Sequence, residues 1–267
     1  GGHYGYIEDN SSSAQLENNL FDYYATWGWS EIDNHFPQCK TFILPVPAFS
    51  EKNLQKDLSY KKINTHDILF LSNKIHRFAQ VATSGQSRID FIEEYMSLIE
   101  EFMSECRKRK YMVLHKLFDS KTKYLLNDFF HSLKDTNKKY YSIYETNEKG
   151  LTNNILSKAN IILWDQIGTG TLQCFTSNIP TMVLWKRIYS RESKSAFKLV
   201  DALERTGVIH RTNKSLLDQY DIYQKDRVKW MHNEERILSI KNFCEKYSKT
   251  DANWQKIWYK KFNSFFD

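Results

Sequence analysis

One segment in the middle of the chain combines the residue types that a phosphate-binding turn needs. A strongly apolar run ends at Asp165, and Gly168-Thr169-Gly170-Thr171 follows almost directly. Glycines leave the backbone N–H groups at a helix start open, and such groups bind anions. The two threonines can cap the helix and donate hydroxyls to the same phosphate. We therefore predict a phosphate site at this turn; the alternative is a tight turn that merely needs glycines.

A second glycine-rich stretch opens the chain with Gly1, Gly2 and His3, and the carboxylates Glu17 and Asp22 follow. Backbone amides beside an imidazole form a donor set for an anion or an oxyanion. Two carboxylates near such a loop can serve as general base and nucleophile if the fold brings them together. The alternative for each carboxylate is a place on the surface of a helix.

Strand-like and helix-like segments alternate from about residue 67 onward. The short apolar runs that predict strands are 67–73, 111–117, 140–145, 160–165, 181–185 and 208–211. Helical spacing of apolar residues fills the segments between them, as in 124–134 and 151–158. This alternation predicts βαβ crossovers, and hence a Rossmann-like α/β fold with a parallel sheet and helices on both of its faces.

Ligands of such sheets bind beyond the carboxyl ends of the strands. Polar side chains stand at or just after several predicted strands, and we predict that they shape the ligand pocket. These residues are Asn73, Lys74, His115, Asp165 and Lys186. Since strands usually end in polar loops, a chance distribution is the alternative interpretation.

The composition divides the chain into four parts. Residues 65–212 carry the α/β alternation, and 51–64 are polar and lysine-rich, as expected of a linker. Residues 1–50 are predicted to be the remnant of a preceding domain. Residues 213–267 are helical and rich in Trp and Phe, and we expect these helices to pack back on that domain. Because the chain starts inside its own candidate loop and without methionine, we expect it to be the carboxyl-terminal part of a longer protein.

Charge and cysteine usage exclude several classes. The chain has 38 Lys and Arg against 32 Asp and Glu, a net charge of +6, which suits an anionic substrate as well as a solvated basic surface. The four cysteines show no metal-ligand or disulfide spacing. No Asp-x-Asp pair occurs, so we predict that neither a metal ion nor a cofactor is used. No apolar run reaches the length of a membrane span, which favours a cytoplasmic protein.

The segment around the central turn resembles the donor-binding half of GT-B glycosyltransferases. In those enzymes a strand, a Gly-Thr turn and a helix precede a second strand that begins after a small residue and a proline. Here the corresponding elements are 157–173 and the stretch that starts at Ser177 and continues through Pro180. The resemblance implies that residues 65–212 form a nucleotide-sugar-binding domain, the carboxyl-terminal half of a GT-B fold with an all-helical extension.

A narrower resemblance rests on the opening 29 residues. The stretch 1–5, with Glu17, Asp22 and Thr26-Trp27-Gly28-Trp29, is similar to a bacterial family of surface-carbohydrate transferases. That family is similar to the retaining β-Kdo transferases, which use CMP-Kdo without a metal ion and are thought to form a carboxylate adduct. One departure is Leu16, which stands where the family pattern has a histidine.

The resemblance implies transfer of a sugar from a nucleotide-sugar, such as CMP-Kdo, to a cell-surface glycan or its lipid-linked precursor. Its implied partners are the donor, the glycan acceptor, and the inner membrane surface or a glycan-assembly complex, with no role for nucleic acid. One alternative within the same fold is a polyol-phosphate transferase or a nucleotide-sugar epimerase. An alternative from another class is a non-catalytic module that binds phosphorylated glycans or acts as a scaffold.

Overall fold

The computed structural model describes residues 5–7, 20–30, 40–51, 65–72, 74–75, 91–145, 150–186 and 190–265. Two parallel sheets and the helices around them make up this part of the chain. The strands are β1 Tyr23–Thr26, β2 Lys40–Ile43, β3 His66–Leu71, β4 Val113–Lys116, β5 Tyr141–Ile143, β6 Ala159–Trp164, β7 Thr181–Leu184 and β8 Ile209–His210. The helices are α1 Pro47–Ser50, α2 Phe91–Arg109, α3 Ser120–Leu125, α4 Asn127–Asn137, α5 Asn153–Leu156, α6 Thr169–Thr176, α7 Phe197–Arg205, α8 Asn213–Lys225, α9 Arg227–Met231, α10 Glu234–Tyr247 and α11 Trp254–Asn263.

The larger sheet has six parallel strands in the order β5-β4-β3-β6-β7-β8. Its first strand along the chain, β3, therefore lies in the middle beside its fourth, β6. This is the doubly wound order of dinucleotide-binding folds. The predicted α/β fold with a parallel sheet is confirmed.

Both faces of the sheet are covered, and β3 shows how. Ile68 and Phe70 point to the face that packs against α2, α4 and α8. Leu69 and Leu71 point to the opposite face, where residues of α5 and α6 lie. All four side chains are buried, which explains why these strands read as continuous apolar runs in the sequence.

Two predicted helices differ from those in the structure. The helical pattern 124–134 is divided into α3 and α4, and α3 starts earlier because Asp119 caps it: the Thr122 N–H donates to its Oδ1 at 2.8 Å. The pattern 151–158 contains a single helical turn, α5.

Residues near β1 and β2 contact the carboxyl-terminal helices through backbone hydrogen bonds. The Val46 N–H donates to the Lys249 carbonyl and the Lys249 N–H to the Trp27 carbonyl, both at 2.8 Å. The indole N–H of Trp258, on α11, donates to the Pro45 carbonyl at 2.8 Å. The predicted division into domains at 50, 64 and 212 stays a prediction.

Gly28 fits into this contact only because it lacks a side chain. Its φ is +139°, and a Cβ would lie 2.5 Å from the Lys246 carbonyl oxygen and 2.6 Å from that of Glu245. We expect Gly28→Ala to lower the free energy of unfolding by about 2–3 kcal/mol, through backbone strain and displacement of α10. Urea denaturation measures the change.

Gly150→Ala is the matched control, because Gly150 also has a positive φ, +73°, but no heavy atom lies within 4 Å of the added Cβ. It should cost about 1–2 kcal/mol, the strain of the left-handed backbone alone. Equal losses in the two variants would mean that the approach of residue 28 to α10 adds nothing to stability.

Candidate functional site

The crevice at the centre of the larger sheet is formed by the carboxyl ends of β3 and β6. Leu71 pairs with Trp164 at the end of these two strands, so that Ser72 and Asp165, the next residues, lie at the same edge. From here the chain continues to β4 and β5 on one side and to β7 and β8 on the other. Such a switch of strand order is where open α/β sheets bind ligands.

The predicted phosphate turn joins β6 to α6 at this crevice. Gly168 is the N-cap of α6, and no side chain caps the helix. The first helical hydrogen bond runs from the Leu172 N–H to the Gly168 carbonyl. The N–H groups of Thr169, Gly170 and Thr171 therefore precede that bond, and none of them donates to another residue in the described part of the chain. Open N–H groups at the positive end of a helix are donors of the kind that bind anions, and the phosphate site at this turn stays a prediction.

Thr171 holds this turn together from inside. Its hydroxyl donates to the Gln166 carbonyl at 3.1 Å and accepts from the Gly168 N–H at 3.3 Å, and the side chain is fully buried. Its hydroxyl proton is therefore used within the turn, and its predicted contact with a phosphate stays a prediction. The Thr169 side chain is exposed, so its hydroxyl is open to a ligand.

Gly170 is required by close packing. A Cβ at this position would lie within 2.7 Å of Cζ2 in the Trp164 ring. The glycine therefore lets the first turn of α6 lie directly against the last residue of β6. This packing and the open N–H groups are two separate uses of the Gly-Thr-Gly sequence.

Two lysines predicted for the pocket follow strands at the same edge. Lys74 comes three residues after the end of β3, and Lys186 comes two residues after the end of β7. Both side chains are half-buried. The parallel register of β3, β6 and β7 places their carboxyl ends side by side, so that the two lysines lie at the edge that also carries the phosphate turn.

His115 lies inside the sheet rather than at its rim. Its ring nitrogens are hydrogen-bonded to the Tyr141 hydroxyl at 2.8 Å and to Ser72 Oγ at 3.0 Å. Its ring stacks on Phe70 with 4.7 Å between centroids. Burial lowers the pKa of His115 to about 3, so the ring is neutral at physiological pH. Its predicted part in the pocket stays a prediction. The hydrogen bond to Ser72 connects the ring with the edge of the sheet at the crevice.

Asp165 is almost fully buried behind the turn, and it has a neighbour that the sequence did not indicate. Burial, and then the charge of the nearby Asp165 carboxylate, raise the pKa of the Tyr95 hydroxyl well above its usual range. Tyr95 is 1% exposed, so its hydroxyl lies inside the core behind the turn. In the sequence, Tyr95 lies among the apolar residues that recur at helical spacing in α2. This position is typical of a core residue and not of a site.

Residues 5–7 lie directly beside the phosphate turn. The Tyr6 hydroxyl donates to the Ile167 carbonyl at 3.2 Å, one residue before Gly168. Ser193 holds the same segment, since its Oγ donates to the Gly5 carbonyl at 2.9 Å. The described end of the first glycine-rich stretch is thus brought to the second one.

Asp22 occupies a different place. It is exposed just before β1, and its carbonyl accepts from the Lys40 N–H at 3.0 Å. Its catalytic role stays a prediction. The predicted site residues that lie outside the described part of the chain are Gly1, Gly2, His3, Glu17 and Asn73.

The residues that the structure describes contain no group of three or more His, Cys, Asp or Glu side chains that could hold a metal ion. Across the same residues, every helix is too short or too polar for a membrane crossing.

The chain is similar in fold to a solved glycosyltransferase structure. It aligns to a trehalose-6-phosphate synthase, studied for glycosyltransfer with retention, at a TM-score of 0.51 and 8% identity, covering 97% of this chain and 67% of that one. This likeness shows a shared fold, of the GT-B type expected from the sequence.

Two further structures have lower scores. They are S. aureus TarM in complex with UDP, at a TM-score of 0.47 and 13% identity over 98% of this chain and 49% of that one, and the M. jannaschii UDP-GlcNAc 2-epimerase, at 0.44 and 13% over 76% and 53%. The chain thus spans between about half and two thirds of the length of these three structures. No curated protein matches its sequence. A family model described as LIC12162 family transferase matches residues 1–262.

Proposed function

The chain belongs to the LIC12162 family of transferases, and from this premise we propose that it transfers a sugar from a nucleotide-sugar donor to a glycan acceptor. The fold that it shares with a glycosyltransferase supports this proposal. The phosphate turn at the sheet centre supplies the chemistry that such a donor needs.

The observation that carries the proposal is the group of open N–H donors at the start of α6, beside the switch point between β3 and β6. A leaving nucleotide phosphate gains negative charge as the glycosidic bond breaks. Preorganised N–H donors and the helix dipole stabilise that charge at the point where it develops. Each hydrogen bond to a charged group contributes about 1.5–3 kcal/mol, so three of them can distinguish a phosphate-bearing ligand from its nucleoside.

The finer assignment rests on the resemblance of the opening residues. We propose a CMP-linked sugar of the Kdo type as donor, and a cell-surface glycan or its lipid-linked precursor as acceptor. In this assignment His3, Glu17 and Asp22 act on the sugar, one carboxylate as nucleophile or base. A donor with a single phosphate suits the short turn and the two lysines at the rim.

An assay of the full-length protein tests the function. CMP-, UDP-, GDP- and dTDP-sugars are incubated with it, nucleotide release is measured, and mass spectrometry identifies the sugar product. We expect release from one nucleotide class, with loss of turnover in Glu17→Gln or Asp22→Asn. An isomerised nucleotide-sugar without release would indicate an epimerase. Nucleotide binding without turnover of any donor would contradict catalysis and favour a binding module.

Lys186→Met should weaken nucleotide binding. We expect the Kd of the cognate nucleotide to rise about five- to thirtyfold, since a half-buried cation near a phosphate contributes roughly 1–2 kcal/mol. Isothermal titration calorimetry measures this change.

The matched control is Lys158→Met, because Lys158 is also half-buried but directly precedes β6, so that its backbone lies at the amino edge of the sheet. In Lys158→Met the Kd of the cognate nucleotide should change less than twofold. If both variants lose affinity equally, net charge rather than a contact in the pocket attracts the donor.

A further inference from the structure

Tyr6 is a fully buried residue whose hydroxyl reaches the backbone of the phosphate turn from 161 residues away in sequence. Its ring packs edge-on against Phe243 at 5.5 Å and Tyr247 at 5.3 Å, between ring centroids. The Ser193 N–H donates to the Tyr6 carbonyl at 2.8 Å. Ring and backbone are therefore fixed independently, and the hydroxyl has a defined direction.

The acceptor of that hydroxyl is one end of a single peptide unit. The Tyr6 hydroxyl donates to the Ile167 carbonyl at 3.2 Å, and the N–H of the same peptide, that of Gly168, donates to Thr171 Oγ1 at 3.3 Å. Because a peptide unit is planar, holding its carbonyl and its N–H fixes its orientation. The orientation of this peptide in turn sets the directions of the next three N–H groups, at the start of α6.

Tyr6 remains a hydrogen-bond donor at all physiological pH values. Burial, followed by the nearby Tyr247, raises the pKa of its hydroxyl well above the usual range. Phenylalanine would keep the ring contacts and leave the Ile167 carbonyl without this donor. The contribution of the hydroxyl can therefore be separated from that of the ring.

We propose that Tyr6 is a positioning residue for the donor phosphate: with Thr171, it holds the Ile167–Gly168 peptide so that the N–H groups of α6 face the ligand. This inference rests on the proposed function of the turn, and goes beyond it by making the first described segment of the chain part of the donor site. Tyr6 itself does not touch the ligand.

The test compares nucleotides with nucleosides in the full-length protein. Kd values are measured for CMP and cytidine, and for UMP and uridine, by titration calorimetry in the wild type and in Tyr6→Phe. The ratio of nucleoside Kd to nucleotide Kd reports the phosphate contribution alone. We expect this ratio to fall about five- to tenfold in Tyr6→Phe, the effect of one hydrogen bond, while the nucleoside Kd stays within twofold. A merely structural role would lower both affinities or neither.

Tyr223→Phe is the matched control, because its hydroxyl also donates to a backbone carbonyl of the β6 segment, that of Asn160, at 3.0 Å. That carbonyl lies near the amino end of the strand, away from the turn. The ratio of nucleoside Kd to nucleotide Kd in Tyr223→Phe should equal that of the wild type. An unchanged ratio in Tyr6→Phe would overturn the inference while leaving the phosphate site intact.

The wild type distinguishes this failure from failure of the proposed function. A wild-type ratio near one would mean that the turn binds no phosphate, and both proposals would fall. If Tyr6→Phe does not fold, Thr171→Val removes the partner at the other end of the same peptide. A normal ratio in this variant would overturn the positioning role.

Discussion

Alanine at position 170 should reduce the affinity for the nucleotide at least tenfold. Its Cβ would overlap the Trp164 ring, within 2.7 Å of Cζ2, and neither neighbour can give way without cost. The ring packs among buried residues at the end of β6, and the turn is closed by Thr171. We expect α6 to move away from β6, which displaces the open N–H groups and lowers stability by about 2–3 kcal/mol. Calorimetric titration and urea denaturation measure the two effects.

A second substitution separates the overlap from other causes. Trp164→Leu removes the ring atoms that a Cβ at Gly170 would meet, so the double variant should regain part of the nucleotide affinity lost in Gly170→Ala. Residues in contact show coupling of about 0.5–3 kcal/mol in such double-mutant cycles. Strictly additive losses would show that Gly170 acts on the donor independently of the ring.

Two buried histidines should make the protein acid-sensitive. Burial lowers the pKa of His115 to about 3 and that of His210 to about 4, whereas a histidine in the unfolded chain titrates near 6.5. Below about pH 6.5 the unfolded chain therefore binds more protons than the native one, and stability falls with falling pH. Each histidine contributes up to about 1.4 kcal/mol per pH unit, until the pH reaches its native pKa.

Urea denaturation between pH 7.5 and 4.5 measures this slope. His115→Gln should lower stability at pH 7.5, because the Tyr141 and Ser72 hydroxyls lose a buried partner, but it should make the pH dependence shallower. His232→Gln is the control, since His232 is exposed, and it should leave the slope unchanged. An identical slope in His115→Gln would mean that other groups cause the acid sensitivity.

The sheet and the glycine turn between β6 and α6 could be predicted because their signals are local. The apolar run of β6 and the glycines after Asp165 lie within a dozen residues, and a strand buried on both faces has no polar positions that would obscure it. By contrast, β1 and β2 are only four residues each and half-exposed. They have neither an apolar run nor a clear alternation of apolar and polar residues, so the sequence pattern does not predict them.

The surroundings of His115 and Tyr95 could not be predicted from the sequence, because they depend on strand register and on long-range packing. His115 follows a predicted strand pattern, but pairing with Phe70 and Ile143 sets the residues opposite it, and its ring turns into the core. In the sequence, Tyr95 cannot be distinguished from the other buried residues of α2. Only the fold brings it near Asp165, the residue after β6. No local pattern contains such neighbours, because a one-residue shift of a strand moves a side chain to the other face.

The bond between Tyr6 and Ile167 also has a consequence for the order in which the molecule acquires its affinity. It closes a loop of 161 residues, and contacts of such separation can form only after most of the intervening chain has been ordered. A βα unit made of β6 and α6 alone would contain the Gly-Thr-Gly sequence without the donor that orients its peptide. In the proposed site, binding of the phosphate therefore requires the completed fold: a chain that has formed its sheet, but in which residues 5–7 have not yet packed beside the turn, would be compact and would still lack the oriented N–H donors.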